Sequence, residues 1–518
     1  MPIACPPSAL RQVMCRRAPA RSGALVAALA LLLLAPAALA QSLEREITNL
    51  MARSKLGTAR VGVCVIDAQS GRTLAGIRES EPFIPASNMK LLTSGAAVRA
   101  LGGDFEFRTR FELSGSTLIV RGGGDPGFAD PFLLDEMGLG LDAFVGRVVD
   151  AVRQAGAAGI TGLVIDDRVF DREYVHPSWP ADQLSEWYCA QVSGLNFHAN
   201  VLLLYAAPAA RAGDQPLLRT QPPTGPWLTI ANRARTVTTE TSGLWAERTP
   251  AGNAFTVRGN VRAAFEKPVR VCLHEGSLLF GRLLAEKLRA AGLAGAAGAP
   301  ACRLAEPDEL IAEGRVIAIV RTPLERVLRR CNADSHNLYA ESLLKSLGHA
   351  LTGQPGSFVG GAAAIRMQLR DRLGPEAAAA TIIADGSGMS RQNRVTPAVL
   401  ARWLVDMAAE PAGGALFVES LAAAGEGTLE QRFRKSRLAC QVRAKSGYIS
   451  GVRCLSGYVT DPSTGRRAAF AILVNEVPPS VAGATVKEFH ENVVEIVDRW
   501  VSRRAEAPTP AQPEPIGG

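Results

Sequence analysis

Ser87 and Lys90 stand three residues apart in Pro85-Ala86-Ser87-Asn88-Met89-Lys90, at the head of a run from Leu91 to Leu101 that reads as an amphipathic helix. At that spacing two side chains share one helical face, about one turn apart. A lysine amine whose pKa is lowered can then take the proton of the serine hydroxyl and make it a nucleophile. The positive end of the helix favours the negative charge that develops beside the serine. Taken alone, Ser-x-x-Lys is commonplace. Two later segments carry matching groups, Ser335-His336-Asn337 and Lys445-Ser446-Gly447. Each of these is also trivial in isolation, and the specificity lies in their order and settings.

Those settings follow from the hydrophobic pattern. A helix is expected from Gln41 to Ser54, with Leu43, Ile47, Leu50 and Met51 on one face. Val61 to Asp67 reads as a strand, Ala68 to Gly71 as a turn and Arg72 to Ile77 as the returning strand. The Ser87 helix comes next. A Gly- and Ala-rich section with short alternating strands then runs from about Asp104 to Glu313, ending in a helix from Glu275 to Ala291. From Val316 the pattern returns to an extended segment, then helices at Leu324 to Cys331 and Leu338 to Leu347, with Ser335-x-Asn337 between them. Val359 to Leu373 is again helical, and Asp385 to Ser390 is a polar, glycine-rich loop. Strands at Cys440 to Tyr448, Cys454 to Val459 and Ala468 to Val474 precede a helix from Thr485 to Val501. Lys445 therefore falls on a strand.

Other motifs are excluded. Gly122 to Gly127 lacks the Gly-Lys-Ser/Thr ending of a phosphate loop and the spaced glycines of a dinucleotide fold, so it reads as a tight turn. There is no Gly-x-Ser-x-Gly elbow, which argues against a Ser-His-Asp hydrolase. No Cys-x-x-Cys or His-Glu-x-x-His occurs and the six histidines are scattered, so no metal site is expected.

The N-terminal segment has the form of an export signal. Arg11, Arg16, Arg17 and Arg21 precede an apolar run from Gly23 to Leu34 and a small-x-small site at Ala38-Leu39-Ala40. Cleavage after Ala40 would lower the formal net charge from +8 to +4. No dense basic run interleaved with aromatics is present, which excludes a nucleic-acid partner. Seven cysteines would remain, an odd number, so at least one stays free even in an oxidising compartment. With a hairpin turn near Ser450-Gly451, Cys454 faces Gly447 and Tyr448 and lies too far from Cys440 for a disulfide. A length of 518 residues points to about three domains, and the Pro-rich end from Pro508 lacks a core and reads as disordered.

The three motifs in this order resemble the serine penicillin-recognising enzymes. The long insert after the first motif resembles the class C low-molecular-mass penicillin-binding proteins, D-alanyl-D-alanine carboxypeptidases and endopeptidases of bacterial cell walls. Pro85 to Lys90, Gly123-Gly124-Asp125-Pro126, Asp166-Asp167, Trp179-Pro180, Asp385 to Arg391 and Asn393 to Pro397 share that likeness, and Ser446 stands where many members carry threonine.

The resemblance implies an α+β, β-lactamase/transpeptidase-like fold, an antiparallel five-stranded sheet flanked by helices, interrupted by a large, mostly β inserted region. The expected boundaries are a signal peptide 1–40, a first catalytic part 41–103, an insert 104–314, a second catalytic part 315–504 and a tail 505–518. It implies Ser87 as acylated nucleophile, Lys90 as base, and Ser335 and Asn337 across the cleft. Lys445 and Ser446 would hold a substrate carboxylate, with Gly447 and the N–H groups of Ser87 and Tyr448 around the acyl oxygen. Asp125, Asp166 and Asp167 are expected to be structural, and Asp385 to Ser390 to shape a loop behind the cleft. The implied partners are peptidoglycan peptides ending in D-Ala-D-Ala and β-lactam antibiotics as covalent inhibitors, in the periplasm, with no cofactor; a homodimer is left open. The alternatives are a β-lactamase, which the long insert argues against, and a non-catalytic envelope scaffold, which the intact motif residues argue against.

Overall fold

The computed structural model describes residues 43–503, so the signal segment 1–40 and the tail from 505 lie outside the described residues. A six-stranded antiparallel sheet forms the centre of the first body. Its order is Ala422–Ala423, Gln441–Ile449, Val452–Thr460, Arg467–Asn475, Arg60–Asp67 and Thr73–Ile77. Five full strands thus come from both ends of the chain, as expected, and a two-residue edge strand is added.

Period-2 side-chain alternation divides the core into two layers. Val61, Val63 and Val65 face one side with Phe470, Ile472 and Val474, packing on Val486, Phe489, Val493 and Val497 of the terminal helix Gly483–Ser502 and on the helix 43–53. Cys64, Ile66, Ala469, Ala471 and Leu473 face the other side, toward the helical cluster. Arg467–Asn475 is buried on both faces, which is why it reads as a nearly unbroken apolar run.

The helix that follows Ser87, Met89–Leu101, departs from the amphipathic reading. Met89 through Val98 are all buried, because the helices Leu324–Asn332, Asn337–Thr352, Phe358–Leu373 and Pro397–Ala408 surround it. Each apolar side chain so buried contributes about 1.5–3 kcal/mol. The buried hydroxyls are satisfied: Thr93 donates to the Gly386 carbonyl and Ser94 to the Lys90 carbonyl.

The inserted region holds three sheets among the described residues. A mixed five-stranded sheet has the order Ala301–Leu304, Gly162–Asp166, Thr117–Arg121, Glu106–Ser114 and Arg315–Pro323. The helices Leu141–Gln154 and Gly276–Ala290 pack their apolar stripes against it. The boundary expected at 314 is corrected here. Arg315–Pro323 pairs with Glu106–Ser114 and completes the insert's sheet, so the chain re-enters the helical cluster at Leu324. Smaller three- and four-stranded sheets lie between residues 201 and 272.

The hairpin turn falls at Ser450-Gly451, with Ile449 opposite Val452 and Cys454 opposite Gly447. All seven described cysteines are free thiols. No helix among the described residues is long and apolar enough to cross a membrane.

Candidate active site

Ser87 sits in a short 3-10 turn, Ala86–Asn88, that runs directly into the buried helix beginning at Met89. Two glycines clamp that turn. A Cβ on Gly388 (φ +82°) would lie 1.8 Å from the Ala86 carbonyl oxygen, and one on Gly447 would lie 3.0 Å from the Pro85 carbonyl oxygen and 3.2 Å from the Ser87 nitrogen. Only a residue without a Cβ lets the loop on one side and the strand on the other come this close.

Lys90 is fully buried and its Nζ makes three contacts: 3.0 Å to Ser87 Oγ, 2.7 Å to Asn337 Oδ1 and 2.8 Å to the Ser387 carbonyl. Two of these partners can only accept. A neutral amine has two N–H bonds and one lone pair. With both N–H groups given to Asn337 and Ser387, the lone pair is left for the serine hydroxyl. Burial pushes the Lys90 amine down to about 8, against the opposing pull of Cys331, Glu341 and Asp385. The arrangement can do general-base chemistry on Ser87.

Asn337 opens the helix Asn337–Thr352 and is held at both ends of its amide. Oδ1 accepts from Lys90, and Nδ2 donates 2.8 Å to the carbonyl of Tyr188, which belongs to the insert. Ser335 has a positive φ of 61° in the link between two helices, and its side chain makes no hydrogen bond among the described residues. His336 between them is not a base. Its ring packs edge-on against Trp187 and Tyr339, and burial, then Arg330, push its pKa down to about 3.

Lys445 lies on the strand Gln441–Ile449 with its side chain buried and its Nζ donating 2.9 Å to the Ser446 carbonyl. It has no carboxylate partner among the described residues, and burial and then Lys90 push its amine well below the usual lysine range. An anion brought in from outside would favour the charged form of this amine. Gly447 is beside the Ser87 turn, and Tyr448 is exposed, its ring covered by Arg453 at 3.6 Å. The strand edge therefore reaches Ser87, while the Tyr448 ring points outward.

The Asp385–Ser390 loop is closer to the chemistry than the sequence suggested. Asp385 folds it, accepting from the N–H groups of Gly388 and Ser390, from Asn393 and from Trp179 Nε1 of the insert. Glu341 accepts from the N–H groups of Gly386 and Ser387, and burial drives its carboxyl upward. The product of this folding is the Ser387 carbonyl, aimed at Lys90.

Sequence reasoning passed over Glu341, Ser387, Tyr188 and Asn88 as contributors. Glu341 left a trace, a single carboxylate within the apolar run Leu338 to Leu344. Ser387 and Tyr188 act through carbonyls, which every residue has, and so leave none. Asp125 is structural, accepting from Gly127 N–H and Thr322, and Asp166 and Asp167 pair with arginines.

Comparison with known proteins now decides the family. The model of the D-Ala-D-Ala carboxypeptidase 3 (S13) family matches residues 43–499. The chain belongs to that family. It is 31% identical over 468 residues to the D-alanyl-D-alanine carboxypeptidase of Actinomadura sp. (strain R39), covering 84% of this chain and 81% of the relative. The S13 fold is also seen in penicillin binding protein 4 (dacB) of Haemophilus influenzae, with a TM-score of 0.69 at 20% identity over 87% of this chain and 99% of that one. A second structure of that protein, in complex with a β-lactam, matches with a TM-score of 0.65. As an S13 member this chain is a serine-type peptidase of the D-Ala-D-Ala carboxypeptidase kind.

Proposed function

We propose that Ser87 is the nucleophile of a D-Ala-D-Ala peptidase acting on peptidoglycan stem peptides, as carboxypeptidase, DD-endopeptidase or both. The observation that carries this is the buried Lys90 amine, 3.0 Å from Ser87 Oγ and already supplied with two acceptors.

Lys90 takes the hydroxyl proton as Ser87 Oγ bonds to the carbonyl carbon of the terminal D-Ala-D-Ala bond. The N–H groups of Ser87 and Tyr448 receive the developing oxyanion, an interaction worth about 3 kcal/mol in the transition state. The C–N bond breaks, and the departing amine takes a proton relayed from Lys90 through Ser335. Water then attacks the acyl-enzyme and returns Ser87 to its free form. Lys445 and the Ser446 hydroxyl hold the substrate's terminal carboxylate, which places the scissile carbonyl against the strand edge at Gly447. A β-lactam enters the same path, and its opened ring stays bound to Ser87 as a covalent inhibitor.

The catalytic unit is 41–103 together with 324–504, exported to the periplasm after loss of residues 1–40. Fluorescent penicillin is the direct probe. Wild-type protein should label and Ser87→Ala should not; an unlabelled wild type, or full labelling of Ser87→Ala, would sink the assignment.

A further inference from the structure

Behind the Ser335-x-Asn337 segment lies a second cleft, of about 850 Å³, between the insert and the catalytic unit. It has the size of a site for an oligomeric ligand rather than a single ion. It backs directly onto the active site. His336 lines it while its neighbours Ser335 and Asn337 belong to the Ser87 site, and Trp187 lines it while the next carbonyl, that of Tyr188, holds Asn337.

Two of its wall residues are stacked guanidinium groups: Arg270 lies 3.7 Å over the Trp187 ring and Arg330 lies 4.3 Å over Phe132. Stacking covers the aromatic faces, so they are not open platforms for a sugar. It also fixes the Arg270 guanidinium while leaving its N–H edge free to donate, the geometry that suits carboxylates. Arg270 and Lys267, both on the cleft wall, have no ion-pair partner among the described residues. Asp130 makes no ion pair with them, since its oxygens accept from Arg330, Tyr339 and two helix N–H groups; Asp135, on the cleft wall, is exposed.

Two buried nitrogens in the same walls lack partners. Arg330 donates through both Nη atoms, to Asp130 and Asp334, but its Nε has no acceptor. His336, 4% exposed, has an unpartnered Nδ1. Neither nitrogen is open to solvent, so the groups that can meet a ligand in the cleft are the unpaired Arg270 and Lys267.

We infer that this cleft is a second substrate subsite, which holds a carboxylate-bearing peptide strand of the peptidoglycan while another strand is cut at Ser87. This rests on reading the Ser87 site as a peptidase site. Because Trp187 and His336 line the cleft and adjoin Tyr188 and Asn337, a strand held there also bears on the segment that positions Lys90.

The test uses full-length protein with Ser87 acylated by penicillin, so that the active site is blocked. The probe is the stem tripeptide L-Ala-γ-D-Glu-diaminopimelate, which carries several carboxylates and no D-Ala-D-Ala end. Calorimetry should show saturable, salt-sensitive binding, about tenfold weaker in Arg270→Gln and in Lys267→Gln, as expected for one lost charged contact. No binding, or equal affinity in wild type and both variants, overturns the inference. Turnover gives a second readout. In Arg270→Gln the KM for acidic peptidoglycan fragments should rise about tenfold relative to the KM for a short D-Ala-D-Ala peptide without other carboxylates. An unchanged KM for both substrates also overturns the subsite. Wild type that neither acylates with penicillin nor cleaves either peptide would instead remove the peptidase reading beneath it.

Discussion

Asn88 Nδ2 donates 2.6 Å to the main-chain carbonyl of Lys445, 357 positions away, and its Oδ1 accepts 3.1 Å from Ser456 Oγ on the next strand. Asn88, the residue after Ser87, thus bolts the Ser87 turn to the strand that carries Lys445. All three residues are fully buried, so none of these groups can turn to water instead.

Replacing Asn88 by Ala should therefore do two things. The unpaired Lys445 carbonyl and Ser456 hydroxyl cost about 2 kcal/mol in stability. Loosening the turn against the strand should also slow penicillin acylation. Thermal unfolding and acylation kinetics check both, and an Asn88→Ala protein with wild-type values in each would contradict the bolt.

The acylation rate should climb with pH through about 8, where the buried Lys90 amine loses its proton. At pH 7 about one-tenth of such an amine is neutral, so acylation at pH 9 should be roughly tenfold faster. Stability follows the same proton. The folded-state pKa is depressed from 10.5 to about 8, so the unfolded chain binds the proton more tightly. The resulting cost to the fold is fully present below pH 8 and is relieved as the pH rises from 8 toward 10.5. Stopped-flow acylation across pH 6.5–9.5 tests the first part, and a flat profile would exclude Lys90 as the base.

Asn337→Ala removes one acceptor of the Lys90 amine and leaves the Tyr188 carbonyl without its donor. The freed amine can turn away from Ser87. A loss of roughly 100-fold in the acylation rate constant is expected, in the range of a lost base or its alignment. Near-native circular dichroism should accompany it, since Asn337 lies at a helix start and is only part-buried.

Gly388→Ala puts a methyl carbon where the Ala86 carbonyl oxygen already sits, at a backbone angle that side chains avoid. Neither neighbour is a flexible side-chain tip. The loop must move, and the Ser387 carbonyl on Lys90 moves with it. A destabilisation of about 3 kcal/mol or more and loss of acylation are expected. Gly465→Ala is the matched control, because that glycine also has positive φ but open space around it. It should cost only about 1 kcal/mol and leave acylation intact.

Much of the fold was legible because it rests on local patterns. Val61 to Asp67 and Ala468 to Val474 announce strands through branched, apolar residues, and the hairpin at Ser450-Gly451 follows from its turn residues. The nucleophile helix misled. Its Lys90, Thr93 and Ser94 look like a solvent face, yet four helices cover them and internal acceptors satisfy them. Val316 to Arg321 reads as extended and lies within the strand Arg315–Pro323, but its pairing with Glu106–Ser114 is not legible, because a strand's sheet partner is not encoded in its own residues.

By itself, the amino-acid sequence determined the reactive types and their order: a serine and lysine one helical turn apart, then Ser335-x-Asn337, then Lys445-Ser446-Gly447. Spacing along one helix suffices to bring Ser87 and Lys90 together. Tertiary structure alone decided the surroundings that suit the lysine to act as a base. Its lowered pKa comes from burial by distant helices, and its two fixed acceptors come from Asn337 and from a carbonyl that Asp385, Glu341 and the insert's Trp179 fold into place. Desolvation and main-chain direction depend on how the chain packs, and no motif can state them.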